Sequence, residues 1–315
     1  MGLNMPLFET AQEWSEQFLC QGFTYAEQMY MLEKSGLQVF NHKEMNLHLK
    51  YIGIKTFMPY LHYFWRKDDD GLYFKYISWG DVYRLYQFND ELRILILHVM
   101  GKIEIAFRAQ ITYQMEQPYG CFWQNRKELF KSPEGKILKD GRQVVQCVYT
   151  EIQDFMKKYF TLAEPRPFQD VMDKMTFGLL YRIYSHLKGY REKEIIAREL
   201  GIPPVCAFSS SMYALEELRN CCAHPQWIWN RRFRVVPDPF FRVSENTWLV
   251  NYSNVKREKT FYRFCLLNYF MQIIDPEFNF NQRLRTLLEQ YKDVISLSEM
   301  GFLEEWEQEE MWKSL

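Results

Sequence analysis

The 315-residue sequence has few of the residues that interrupt regular secondary structure, with only 14 glycines and 12 prolines. It is correspondingly rich in bulky side chains, with 25 Phe, 21 Tyr and 9 Trp. Few breakers and many large side chains favour long helices packed on an aromatic core over a turn-rich sandwich. A chain of this length can bury a large core and form one or two domains.

The sequence also lacks an excess of either charge and a regular cysteine pattern. The formal net charge is -1, so a site for a polyanion must be made locally by clustered Arg and Lys. The seven cysteines include no CxxC pair, and the adjacent Cys221 and Cys222 cannot easily bridge each other. This usage indicates reduced thiols in a cytosolic protein rather than a disulfide framework or a zinc site.

Several further signatures are missing. The most hydrophobic stretch, residues 92–100, is interrupted by Arg93 and His98, so we expect no membrane span. The first residues lack the basic-then-apolar layout of a signal peptide. The sequence contains no His, Asp and Glu at metal-ligand spacing, no glycine-rich phosphate loop and no nucleophile elbow. We therefore expect no metal and no cofactor.

Capping residues and apolar periodicity predict helices along most of the chain. After an extended lead-in over residues 1–22, Thr24 and Glu27 form a capping box. The predicted helices run from there to Gly36, then over 43–51, 78–117, 144–161, 168–188, 192–200, 212–224, 260–274 and 282–291. Between them we predict a turn at 67–71, a basic loop at 118–142, a short hairpin around 248–250 and a docked acidic tail. The predicted domains are 1–77 and 78–315.

The helix predicted over 78–117 carries a polar strip as well as an apolar stripe. Ser78 can cap its start, with Asp81 in the first turn. Glu104 and Arg108 lie four residues apart and can form an ion pair, and Arg93 precedes Glu104 by close to three turns. On pattern alone the pair is an ordinary surface salt bridge.

The most informative stretch is Leu218–Pro225, where Arg219, Asn220 and His224 end an otherwise apolar helix. On a helix Asn220 and His224 lie about 40° apart, whereas Arg219 and His224 are about 140° apart. Pro225 disfavours helical backbone at the preceding residue, so His224 is predicted at the helix C-terminus.

This arrangement suits phosphodiester chemistry. A histidine can change its charge near neutral pH and move the proton of a ribose 2′-hydroxyl, while Arg219 binds the phosphate through two hydrogen bonds. The alternative is structural: His224 caps the helix and Arg219 pairs with Glu104 or Glu216. Spacing alone favours the alternative.

The motif resembles the R-x4-6-H signature of HEPN ribonucleases. Its longer form, with Leu218 before it and Trp229-Asn230-Arg231 after it, resembles the Abi family, the AbiD/AbiF-like abortive infection proteins of bacterial phage defence. Further blocks are similar in order: Thr24…Glu27-Gln28…Leu32…Gly36, Tyr86–Arg93, Ile103-Glu104…Arg108, Phe177-Gly178 before Leu187-Lys188, and Met300-Gly301-Phe302…Trp306. The resemblance covers nearly the whole chain. Family members often have a second His where this chain has Pro225, and an Arg in place of Trp227.

The resemblance implies an all-α, HEPN-like helical bundle with additional N- and C-terminal helical elements. It implies metal-independent RNA cleavage, with catalytic residues Arg219, Asn220 and His224. The residues expected to support catalysis or bind RNA are Glu104, Arg108, Arg93, Trp229, Asn230, Arg231 and Arg232.

The resemblance also implies partners and a setting. It implies a homodimer that pairs two R-x4-H motifs, an RNA substrate, a bound small structured non-coding RNA, and a toxin-like role in the bacterial cytoplasm without a membrane. Two alternatives remain open: a catalytically silent RNA-binding dimer that uses the same cleft, and a purely structural interaction protein.

Overall fold

A computed structural model describes most of the chain. The described residues are 22–68, 71–131, 134–137, 143–160, 165–238, 242–243, 246–247 and 254–313. The predicted lead-in and the centre of the predicted hairpin at 248–250 lie outside these residues, apart from Gly22.

The described part of the chain is mainly helical, which confirms the all-α class. Its helices are α1 (Tyr25–Lys34), α2 (His42–Tyr51), α3 (Ile54–Phe64), α4 (Trp79–Tyr119), α5 (Val148–Tyr159), α6 (Phe168–Met172), α7 (Phe177–His186), α8 (Tyr190–Glu199), α9 (Val205–Ala223), α10 (Thr260–Ile274), α11 (Phe280–Gln290) and α12 (Leu297–Met300). Three antiparallel two-stranded hairpins accompany them: β1–β2 (Trp65–Asp68, Gly71–Phe74), β3–β4 (Glu134–Ile137, Gln143–Gln146) and β5–β6 (Arg242–Val243, Asn246–Thr247).

The two predicted N-terminal caps are confirmed. The Glu27 amide donates to Thr24 Oγ1 at 3.3 Å, and the Thr24 amide donates to Glu27 Oε2 at 2.8 Å. Ser78 and Asp81 repeat this arrangement at the start of α4, with distances of 3.2 and 2.8 Å. Each pair satisfies two amides that a helix start leaves without partners.

The long helix α4 buries the predicted stripe at all but one position. Leu85, Leu92, Val99, Ile103 and Phe107 are at most 1% exposed. Leu95 is only half-buried, and the next residue, Ile96, is buried instead. Because 3.6 residues make one turn, a stripe on a helix of this length drifts around the axis.

The chain forms two compact units. One comprises the described residues up to Leu92 together with Thr286–Ser296, and the other comprises Arg93–Arg285 and the described residues from Leu297. The predicted domain boundary between residues 77 and 78 stays a prediction.

The prediction that the motif helix begins at Met212 is wrong. Helix α9 begins at Val205, with Pro204 at the N-cap. Ser210 lies inside the helix, where its hydroxyl donates to the Ala207 carbonyl at 3.2 Å, and Ser211 is fully buried. Serine often caps a helix, but it can also return its hydroxyl to the preceding turn, and the proline here sets the start.

The predicted end of the preceding helix is confirmed. Helix α8 closes with the Gly201 amide bonded to the Arg198 carbonyl and the Ile202 amide bonded to the Ala197 carbonyl, both at 2.9 Å. Gly201 has φ +87°, and a Cβ there would lie 2.0 Å from Ile273 Cδ1. This left-handed turn requires glycine.

The middle of the chain differs most from expectation. The predicted loop at 118–142 contains 3-10 turns at Trp123–Asn125 and Lys127–Leu129 and strand β3. The helix predicted from residue 144 begins at Val148, because 143–146 pair with β3. The predicted helix 168–188 is two helices, since Thr176 caps α7 by accepting the Leu179 amide.

The acidic tail docks on the second unit, as predicted. Trp312 is fully buried and stacks on Phe261, with the ring centroids 6.0 Å apart. The side-chain amide of Asn268 donates to the Met311 carbonyl at 2.7 Å. Buried aromatic side chains, hydrogen bonds to the tail carbonyls and the Arg285–Glu307 ion pair together hold the tail in place.

Candidate active site

One face of α9 lines a pocket with a volume of about 800 Å³. Tyr213, Glu217, Asn220 and His224 succeed one another at steps of four, three and four residues, so they lie in a row along the helix. Of these four residues, only Asn220 and His224 were predicted from the sequence. The helical spacing was a signal that also pointed to Tyr213 and Glu217.

The helix ends as the sequence predicted. Ala223 is its last residue, and His224 has extended backbone with φ -94° and ψ 128°. The His224 amide still donates to the Asn220 carbonyl at 3.1 Å, which holds the two residues on one side. The exposed imidazole has no hydrogen-bond partner among the described residues, so it is available to a ligand in the pocket.

Arg93 fixes this helix end from the neighbouring helix. Its Nε and Nη2 atoms donate to the Cys222 carbonyl at 3.0 and 2.9 Å. The last carbonyls of a helix lack partners within it and carry partial negative charge, so a guanidinium is favourable there. Arg93 thus supports the motif through the backbone two residues before His224.

Replacing Arg93 with Gln is expected to lower the free energy of unfolding by about 2 kcal/mol, because a charged hydrogen-bond donor to a helix end is removed. Urea unfolding followed by circular dichroism measures this change. The control is Arg198→Gln, since Arg198 is exposed and pairs with Glu194 at 3.2 Å on the surface. The control should cost less than about 1 kcal/mol. Equal losses in the two variants would contradict the role given to Arg93.

The opposite wall of the pocket is the segment after the motif. It contributes two arginines and two apolar residues: Arg231, Arg234, Val235 and Val236. The side chain of Arg234 is 91% exposed, and Arg231 is half-buried. The pocket therefore places two guanidinium groups, which can bind a phosphate, near the imidazole, together with the carboxylates of Glu216 and Glu217.

Glu217 attaches this wall to α9. Its two carboxylate oxygens accept the Arg234 and Val235 amides at 3.1 and 2.9 Å. The fully buried Arg263 lies 4.0 Å from the same carboxylate, and burial lowers the pKa of Arg263 to about 10. Because both oxygens of Glu217 are engaged, we assign it to positioning the wall.

Arg219 lies beside the pocket rather than in its lining. It is half-buried, and its Nη1 donates to Asn220 Oδ1 at 3.3 Å. Among the described residues Arg219 forms no ion pair within 4.0 Å, so the structural alternative, a contact ion pair with Glu104 or Glu216, is not present, and Glu104 pairs with Arg108 instead. Burial raises the pKa of Glu216 against the opposing charges of Arg182 and Arg219.

The predicted pair on α4 forms but does not reach the pocket lining. Arg108 Nη2 lies 2.5 Å from Glu104 Oε1 and donates to the Met175 carbonyl at 2.7 Å. The pair therefore ties the segment before α7 to α4. Its contribution to the site is indirect.

The four residues predicted after the motif have different surroundings. Trp229 is fully buried in the core, and Asn230 accepts the Trp227 indole N–H at 2.5 Å. Arg231 lines the pocket, whereas the exposed Arg232 lies 3.4 Å from a Glu258 carboxylate oxygen. Only Arg231 joins Asn220 and His224.

Neither a metal cluster nor a membrane-spanning helix is present among the described residues. No three His, Cys, Asp or Glu side chains among them come together as they do around a metal ion. In the same part of the chain, no helix has both the length and the apolar character needed to span a bilayer.

The fold and site thus define an all-α protein with an Arg-Asn-x3-His motif at a helix end, facing a pocket lined by two arginines and two glutamates. A family model described as Abi-like protein matches residues 47–230. Because the match covers more than half of the chain, the protein belongs to the Abi-like family. No curated protein and no solved structure matches the chain.

Proposed function

We propose that this protein is an abortive-infection effector that cleaves RNA without a metal ion, by a HEPN-type mechanism. Membership of the Abi-like family supports the setting in phage defence. The observation that carries the proposal is the exposed imidazole of His224, which ends α9 beside Asn220 and faces a pocket with two arginines.

The reaction follows from the groups in and beside the pocket. The ribose 2′-oxygen attacks the adjacent phosphorus, the bond to the 5′-oxygen breaks, and the products carry a 2′,3′-cyclic phosphate and a 5′-hydroxyl. His224 takes the 2′-hydroxyl proton as general base. Arg219 and Arg231 bind the non-bridging oxygens, whose charge grows in the transition state. The Asn220 amide orients the ribose or the phosphate.

This reaction moves two protons, one from the 2′-hydroxyl and one to the leaving 5′-oxygen. His224 is the only histidine among the described residues that line the pocket. His224 therefore takes the proton from the 2′-hydroxyl and then gives it to the leaving 5′-oxygen. Arg219 lies beside this pocket rather than in its lining. The position of Arg219 favours a homodimer in which each site combines His224 of one chain with Arg219 of the other. We further propose that a small structured RNA binds the dimer and controls it.

The test of the proposed reaction is cleavage of a short RNA in excess chelator by the purified protein. We expect cleavage of the ribose strand with a cyclic phosphate end, and no cleavage where the reacting 2′-hydroxyl is methylated. Cleavage of the methylated strand, or complete loss of activity in chelator, would contradict the mechanism. Binding of both strands without cleavage of either would favour the catalytically silent RNA-binding dimer.

A further inference from the structure

A second cavity, with a volume of about 570 Å³, lies at the opposite end of α9. It is formed where the segment before α8, the start of α8 and the start of α9 meet Lys131. The lining side chains are Lys131, Ser185, Leu187, Lys188, Tyr190, Lys193, Pro204, Val205, Cys206 and Ser209. Three of them are lysines, and the described lining contains no carboxylate.

Lys193 is the unusual member of this set. It is only 8% exposed, its Nζ donates to the Ser185 carbonyl at 3.0 Å, and its ammonium lies 5.3 Å from the Tyr184 ring centroid. No carboxylate among the described residues lies within 4.0 Å of it. A buried ammonium without a counter-ion is costly, so its position beside an open cavity points to an anion that is bound there.

The neighbouring charges reinforce this point. Burial and, after it, the positive charge of Lys131 lower the pKa of Lys193 to about 8. Lys188, which is exposed, adds a third positive charge at the same cavity. Like charges brought together without partners are destabilising, and a bound anion would relieve the repulsion.

The start of α9 also favours an anion in this cavity. Its N-cap is Pro204, which makes no side-chain cap, so the first amides of a 19-residue helix remain without side-chain acceptors. Val205 and Cys206, the residues that carry the first two of these amides, line the cavity. Helix starts favour anions through these amides and the helix dipole.

One aromatic side chain adds an exposed ring to the charged lining of the cavity. The ring of Tyr190, 67% exposed, lines the cavity next to the lysines. An exposed aromatic face beside clustered lysines is the usual arrangement for stacking a base while its phosphate is held. The cavity volume also lies in the range of small-molecule sites.

We propose that this cavity binds a nucleotide, with its phosphate on Lys193, Lys188 and the start of α9 and its base on Tyr190. The ligand is either a free nucleotide or one nucleotide of an RNA strand. No residue lines both this cavity and the cleavage pocket, and the start of α9 at Val205 lies about 28 Å along the helix from His224. One helix then joins a nucleotide site at its start to the catalytic histidine at its end.

The test is calorimetric titration of the full-length His224→Ala protein, which keeps this cavity intact and cannot cleave the probe by the proposed route. The probes are inorganic phosphate, adenosine 5′-monophosphate and an eight-nucleotide RNA. The variants are Lys193→Met, Lys188→Ala and Tyr190→Ala, and the control is the exposed Lys157→Ala. Circular dichroism checks that each variant is folded. If Lys193→Met does not fold, Lys188→Ala still tests the proposal.

We expect each lysine variant to weaken binding of the nucleotide at least about tenfold, as loss of one charged contact does. Tyr190→Ala should weaken binding of the nucleotide but not of inorganic phosphate, and Lys157→Ala should change the binding of neither. Tight binding of the monophosphate identifies a free nucleotide, and binding of the RNA alone identifies a strand only where the cavity variants weaken it, because the cleavage pocket also binds RNA. No binding of any probe, or binding that the cavity variants leave unchanged, would overturn the proposal. Neither result depends on whether the protein cleaves RNA.

Discussion

Replacing His224 with Ala is expected to lower the rate of RNA cleavage by about 10²- to 10⁴-fold, the usual contribution of a general acid or base. The imidazole is exposed and makes no hydrogen bond to the described residues, so the fold does not depend on it. The hydrogen bond from the His224 backbone amide to the Asn220 carbonyl involves no side chain, so it survives the substitution. Affinity for RNA should therefore persist while cleavage is lost.

The matched control for this variant is His42→Ala. His42 is also an exposed histidine, it contacts Glu33 at 2.9 Å, and it lies in the other compact unit. We expect wild-type cleavage from the control. Expression in bacteria gives a second readout, because growth arrest should require His224 and not His42.

The second large effect concerns the composite site. Arg219→Ala and His224→Ala homodimers should both be inactive, since every site in them lacks one of the two side chains. In a heterodimer purified with two different tags, one of the two sites receives Arg219 from one chain and His224 from the other. We expect such a heterodimer to recover roughly half of the wild-type rate, because one site in two is complete.

This complementation separates two arrangements of the same motif. If Arg219 and His224 act within one chain, no site of the heterodimer is complete and its rate stays at the level of the parents. The control is a heterodimer of two differently tagged His224→Ala chains, which should remain inactive in either case. Sedimentation or light scattering must first show that the protein is a dimer, and a monomer that cleaves RNA at the wild-type rate would contradict the composite site.

Local signals explain why much of the fold could be predicted. Capping boxes at Thr24 and Ser78 and the stop at Gly201 depend on neighbouring residues alone, so the sequence contains all that determines them. The start of α9 and the β3–β4 hairpin were not predicted, because at each place two local structures compete and the sequence pattern favours the one that does not form. At Ser209–Ser211 serines can cap or continue a helix, and at 143–146 cross-strand pairing prevails over helical periodicity.

The candidate site likewise has one part that the sequence predicts and one part that it does not. The helix end at His224 and the shared face with Asn220 follow from the helical period and from Pro225. The second wall does not, because Glu217 binds the amides of residues 234 and 235 across a loop, and no periodic pattern encodes that contact. Burial of Trp229 was likewise hidden, since an aromatic residue near a catalytic motif can stack on a base or fill the core.

The most direct test of the central claim is the single-turnover rate of cleavage of one defined RNA, in chelator, by the wild type and by Arg219→Ala, Asn220→Ala and His224→Ala. We predict that the wild type leaves a cyclic phosphate end and that the Arg219 and His224 variants lose at least about 10²-fold in rate while remaining folded. Loss of a hydrogen bond should make the Asn220 variant slower by a smaller factor. Cleavage by folded Arg219→Ala and His224→Ala proteins at the wild-type rate would contradict the assignment of this pocket as the ribonuclease site.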